Sequence, residues 1–305
     1  MQVPAFLNSR AADEKNRVAL ISVFAAVVLT ATKLVVGLAT GSLGILSEAA
    51  HSGLDLIAAV ITFFAVRISA KPADDKHTYG HGKVENLSAM FETGLLLVTC
   101  IWIIYEAIQR LFFKSVHVEA NVWAFGIMLL SIVVDYNRSR ALYRAARKYN
   151  SQALEADALH FSTDIWSSGV VILGLLLVRL SEVLNIGALA QADAAAALVV
   201  AGIVIYVSLQ LGRRTVAGLL DEIPAGLRNE VVHALSKVPG VRQVRHVRLR
   251  WSGPEAFADV ILTTQNDLPL EQAHQVATLA EGAVHKILPQ VEVTVHVEPE
   301  LVVDS

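Results

Sequence analysis

The sequence predicts a mainly α membrane protein, with six transmembrane helices followed by a small α+β domain in the element order α-β-β-α-β. Three observations predict it. The 305-residue chain is 54% hydrophobic and only 17% charged, against about 25% charged in ordinary soluble proteins. Six largely apolar stretches lie before residue 215, each close to the roughly 20 residues that cross a hydrocarbon core as a helix. After LLDEIPAG the composition becomes that of a soluble domain, with short helical and strand periodicities.

The first 17 residues, MQVPAFLNSRAADEKNR, are polar and lack the basic start and small-residue cleavage site of a signal peptide, so no cleavage is expected. Spans are predicted at 18–38, 43–68, 84–111, 118–134, 157–178 and 189–211, within a transmembrane domain covering 18–214. Glu48, His51, Asp55, Glu85 and Glu92 interrupt the second and third. Basic residues cluster in alternate connections: Arg10, Lys15 and Arg17; Lys71, Lys76 and Lys83; Arg138, Arg140, Arg144, Arg147 and Lys148; Arg213 and Arg214. The intervening connections hold little beyond Lys114 and Arg179. Because cytoplasmic loops carry the excess of Lys and Arg, both termini are expected in the cytoplasm and the spans in the inner (plasma) membrane. A linker over 215–224 leads to a cytoplasmic domain over 225–305. There 225–237 reads as helix, VRQVRHVRLRW and AFADVILTT as strands, PLEQAHQVATLAEGAVHKIL as helix and VEVTVHVEP as strand.

A net charge of −3 gives no basis for nucleic-acid binding, which needs a basic surface. The single cysteine, Cys100, excludes an intramolecular disulfide and a multi-cysteine zinc site.

Two short stretches carry chemistry. LHFSTDIWSSGVV places His160 and Asp164 four residues apart at the start of an apolar run, and SEAAHSGLD repeats that interval with His51 and Asp55. A carboxylate near a bilayer centre costs about 2.5–3.5 kcal/mol on insertion scales, so such residues have a partner or a job. Positions i and i+4 share one helix face, so each pair can present two ligands to one point. Two His and two Asp suit tetrahedral Zn²⁺ better than octahedral Mg²⁺ or many-oxygen Ca²⁺. The plainer reading of either pair is a polar contact between helices, worth about 1 kcal/mol; their repetition on two spans favours one shared site. In the connection KPADDKHTYGHGKVEN, Asp74, His77 and His81 fit either a metal site or a solvated loop. Lys33, Glu48 and Glu92 stay unassigned between proton route, packing contact and feature without ligand function.

HxxxD in the second and fifth spans, PADDKHTYGHGKVE entering the third, LLDEIP after the sixth and an α-β-β-α-β tail together resemble the cation diffusion facilitator family of metal transporters, over about residues 17–300. The resemblance implies a homodimeric, proton-coupled exporter of divalent transition metal, with a metallochaperone-like cytoplasmic domain. It implies a transport site of His51, Asp55, His160 and Asp164, a composition similar to that of zinc exporters, and a loop site of Asp74, His77 and His81. Lys83 and Asp221 match positions that pair at the dimer interface in similar proteins. In the tail, His274 and His296 match metal-binding positions and Glu298 stands where an aspartate can occur. Arg245 and Ile261 replace histidines of some relatives, while His246 and Asp259 offer alternatives, so the tail stays open between a binuclear site, one site of Asp259, His274 and His296 with Glu298, and ordinary strand and helix surface residues. The resemblance points to Zn²⁺ as cargo and as a possible regulatory ion, with Fe²⁺, Cd²⁺, Co²⁺ or Mn²⁺ as alternative cargo. An intramembrane zinc enzyme is the distant alternative: no HExxH occurs, and four ligands leave no open coordination position.

Overall fold

A computed structural model describes residues 5–41, 43–112, 122–184, 192–289 and 291–300. The long helices are α1 (Ala5–Thr40), α2 (Leu43–Ser69), α3 (Lys83–Phe112), α4 (Val122–Tyr149), α5 (Gln152–Leu184) and α6 (Ala192–Leu219). By length and composition, the described parts of α1, α2 and α3 at 10–40, 48–69 and 83–105 are apolar enough to cross a membrane. The expected span at 118–134 begins outside the described residues, as does that at 189–211.

The helices outrun the apolar stretches. α1 begins in the expected polar arm, α4 continues through the basic run to Tyr149, and α6 runs into the expected linker. A helix satisfies its backbone internally in lipid and water alike, so its end is set by a stop signal and not by the hydrocarbon boundary. Asn150 and Asp221 supply two such stops. Both have positive φ, 49° and 59°, and the amides that follow them bond back to the last turn: Ser151 N–H to Ala146 O at 3.0 Å and Glu222 N–H to Ala217 O at 2.9 Å. This is the Schellman closure. Ser151 then starts α5, its Oγ accepting the Leu154 amide at 3.4 Å.

One compact unit holds 10–71 and 84–216. Small side chains dominate its interior: Ala19, Ala59, Ala145, Ala146, Ala153 and Ala158 pack with Val66, Leu142, Leu154 and Phe161. Such residues let helix backbones approach closely where lipid removes the hydrophobic drive for association. Phe24, Val35, Leu38, Trp102 and Tyr206 instead face outward, as an apolar exterior requires.

The other unit holds, among the described residues, 5–9, 72–83 and 217–300. It contains α7 (Leu227–Leu235), β1 (Gln243–Ser252), β2 (Glu255–Thr264), α8 (Leu270–Ile287) and β3 (Val291–Pro299). The sheet order is β1-β2-β3; β1 and β2 are antiparallel and β2 and β3 parallel. Val231 and Leu235 of α7 and Ala280 and Val284 of α8 meet Val247, Leu249, Ala258, Val260 and Leu262 in one core on one face of the sheet. On the other face, Tyr79 from the 72–83 segment packs edge-on against Phe257 at 5.2 Å. The Arg250 guanidinium lies 3.4 Å from the Tyr79 ring centroid.

Candidate metal centre

The four-residue spacing places His51 and Asp55 on one face of α2, and His160 and Asp164 on one face of α5, and α2 packs against α5. The four side chains close a ring of alternating imidazole and carboxylate. His51 Nε2 lies 4.0 Å from Asp55 Oδ1 and 3.8 Å from Asp164 Oδ1. His160 Nε2 lies 3.1 Å from the same Asp55 oxygen and 3.7 Å from Asp164 Oδ2. Ligands about 2.0–2.1 Å from a tetrahedral Zn²⁺ stand about 3.3–3.4 Å apart, so the ring edges bracket that span. Donor atoms of His51, Asp55 and Asp164 all fall within 4.8 Å of one another. His160 stands outside that set and reaches the two aspartates from the buried side, 5% exposed against 41% for His51.

Other ionisable groups surround the ring. Lys33 of α1 donates to Ser52 Oγ at 2.7 Å and to Glu48 Oε2 at 3.2 Å. Arg138 of α4 bonds Asp135 at 3.2 Å and Ser22 at 3.1 Å and lies 3.5 Å over the Phe161 ring. Ser22 Oγ also donates to Asp157 at 3.4 Å, and the Thr62 hydroxyl donates to buried Glu92. Sequence reading counted Arg138 only as loop charge and passed over Asp135 and Asp157. Part of the signal was available, since Asp135 lies three residues before Arg138 and Asp157 three before His160. At the end of α2 and the start of α3 and α5, buried Glu85 accepts Lys15 Nζ at 2.8 Å, Ser69 Oγ at 2.8 Å and the Ser151 hydroxyl.

The loop residues also converge. Asp74 meets His77 Nδ1 at 3.1 Å and His81 Nε2 at 3.3 Å, and the three offer donor atoms within 4.8 Å of one another. Asp74 Oδ1 additionally accepts the amides of His77 at 2.7 Å and Lys76 at 2.9 Å. The His77 amide, followed by that of Lys76, holds the Asp74 carboxyl below its usual range. Gly80, at φ 70°, turns the chain between the two histidines, a conformation that favours glycine.

Lys83 Nζ pairs with Asp221 Oδ1 at 2.9 Å within one chain and also donates to Leu219 O at 3.3 Å. The tail residues do not converge within one chain: among the described residues, no set of three candidate ligands there contains Asp259, His274, His296 or Glu298. Glu298 is held by Arg245 at 2.7 Å, with His296 Nε2 3.6 Å away. Asp259 faces Arg248 and Thr294 across the strands, whereas His274 lies on α8, the helix that covers the opposite face.

Known proteins match along most of this length. The family model described as "Cation efflux transmembrane domain" covers residues 19–220, and that described as "Cation efflux protein, cytoplasmic domain" covers 223–300. A Cation-efflux pump FieF of Salmonella arizonae is 31% identical over 289 residues, 93% of this chain and 92% of that protein. One of Citrobacter koseri is 31% identical over 285 residues, with the same shares. A solved MamM CTD is 33% identical and covers 24% of this chain and 94% of its own, with a TM-score of 0.23. The chain therefore belongs to the cation diffusion facilitator family, as a membrane transporter for efflux of divalent metal cations and not an enzyme.

Proposed function

We propose that the protein exports Zn²⁺ from the cytoplasm in exchange for protons, and that His51, Asp55, His160 and Asp164 are its transport site. The observation that carries this reading is the convergence of His51, Asp55 and Asp164 donor atoms within 4.8 Å across α2 and α5, with His160 Nε2 3.1 Å from Asp55 and 3.7 Å from Asp164. Metal binds deprotonated ligands, so metal and protons compete for the same atoms. Histidine's reference pKa of about 6.5 sets that competition near physiological pH. Replacing two protons on the two imidazoles by one Zn²⁺ leaves the charge of the ring unchanged. Zinc enters from the cytoplasm, displaces protons and leaves outward when protons rebind, as tilting of a bundle containing α2 and α5 exposes the ring to each side in turn.

The same reading takes the protein as a homodimer in the inner membrane with both termini cytoplasmic. Domain limits are 18–214 and 225–305, Lys83 and Asp221 stand at the dimer interface, and Asp74, His77 and His81 form a second metal site. Any tail site of Asp259, His274, His296 and Glu298 requires ligands from two copies. In everted vesicles loaded at acidic pH, ⁶⁵Zn²⁺ should accumulate and protons leave; dissipating the pH gradient should stop accumulation. Equal accumulation without the gradient would remove the antiport claim. Cd²⁺, Co²⁺, Fe²⁺ or Mn²⁺ outcompeting zinc would change the cargo and leave the site intact.

A further inference from the structure

We infer that Lys33 is a specificity-determining residue: it holds the Glu48 carboxylate out of the metal site and so keeps the coordination at two histidines and two aspartates. The inference rests on the transport-site reading given above. Glu48, His51 and Asp55 lie at i, i+3 and i+7 of α2, so they share a face and Glu48 stands one turn from His51. Glu48 is half-exposed, 51% at its side chain, so its carboxylate is not locked by packing. Among the described residues, however, its donor atoms are outside the converging set of His51, Asp55 and Asp164. What holds it is a buried ammonium: Lys33 is 4% exposed and donates to Glu48 Oε2 at 3.2 Å and Ser52 Oγ at 2.7 Å.

The hold on Lys33 is itself built. Thr30, one turn earlier on α1, donates to Ser52 O at 3.0 Å, so α1 grips the α2 turn beside His51 at two points. Ser52, 4% exposed, fixes the ammonium where the flexible lysine stem would otherwise let it wander. Without that charge, Glu48 is left one turn from His51 with no ammonium to hold it away from a metal bound there. A fifth, carboxylate ligand would raise both coordination number and oxygen content, favouring Mn²⁺, which prefers oxygen-rich octahedral sites, over tetrahedral Zn²⁺. Specificity then comes from keeping an attractive group away as much as from the four that bind.

The test measures ⁶⁵Zn²⁺ uptake in everted vesicles against increasing Mn²⁺ for wild type, Lys33→Gln, Glu48→Gln and the double variant K33Q/E48Q. Lys33→Gln keeps a hydrogen-bond donor for Ser52 and removes the charge. It should lower the Mn²⁺ concentration that halves zinc uptake by about tenfold, the lower end for groups that orient a metal's ligands. Glu48→Gln alone should leave selectivity unchanged, and adding it to Lys33→Gln should restore the wild-type ratio. A merely structural grip predicts no such rescue. Unchanged selectivity in Lys33→Gln, or failure of E48Q to restore it, would overturn the proposal. If E48Q restores membrane insertion to Lys33→Gln while the selectivity of the double variant differs from wild type, the pair is structural and the proposal is overturned; insertion failing even in the double variant overturns it too. Asp164→Ala runs alongside: if it transports zinc normally, the transport-site reading fails whatever the Lys33 series gives.

Discussion

Glu85→Ala strands a charge. Lys15 Nζ sits 2.8 Å from Glu85 Oε1, with side-chain exposures of 6% and 1%, and Glu85 also accepts two serine hydroxyls. Removing one member of a buried pair costs about 3–5 kcal/mol, because the other charge stays buried without compensation. Glu85→Ala should reach the upper part of that range, since the Lys15 side chain has no other acceptor among the bonds described. Lys15→Met should cost about 3 kcal/mol, because Ser69 and Ser151 still satisfy the carboxylate. The double variant K15M/E85A buries no charge, so its loss should stay near that of Glu85→Ala alone, about 5 kcal/mol or less, and well below the sum of the two single losses. The coupling across the cycle is then about 3 kcal/mol or more. Chemical unfolding in detergent, followed by tryptophan fluorescence, measures all four proteins. Strictly additive losses, or single variants within about 0.5 kcal/mol of wild type, would refute the claim that this pair is desolvated and mutually dependent.

Further outcomes follow from the geometry of the 72–83 segment and the tail. Gly253→Ala should destabilise the tail by about 1–3 kcal/mol in thermal melts, because φ is 60° and the new Cβ would lie 2.5 Å from Gly82 O. Lys83→Ala should change stability by about 1 kcal/mol or less, since the Lys83–Asp221 pair is about 40% exposed on both sides. Asp74 has a folded pKa depressed below its reference of about 3.9. Its contribution is therefore complete above that reference and lost only as pH falls through the lower folded value. Protection factors at the His77 and Lys76 amides, taken against the intrinsic exchange rate at each pH, should hold as pH falls through the reference value of about 3.9 and drop only below it, whereas Asp74→Asn should lower them at neutral pH.

Much of the architecture was legible because its signals are local. β3 at Val291–Pro299 coincides with the alternating VEVTVHVEP, and the paired His–Asp intervals located the ring before any geometry. Helix ends were not legible from hydropathy, since they depend on left-handed stops at Asn150 and Asp221 that lie beyond the apolar runs. The ring's surroundings were hidden for another reason. Arg138 to Ser22 and Lys15 to Glu85 join residues 116 and 70 positions apart, and no single-helix spacing encodes such partners. The tail candidates matched by position alone; in one chain the sheet separates His274 from Asp259 and His296.

The most direct test of the central claim is zinc accumulation by Asp164→Ala in everted vesicles under an imposed pH gradient, with membrane insertion and dimer formation checked in parallel. Asp164 closes the ring to both histidines, at 3.8 and 3.7 Å, so its loss should abolish ⁶⁵Zn²⁺ uptake and the accompanying proton efflux while the protein still inserts. Retained uptake at the wild-type rate would contradict the account.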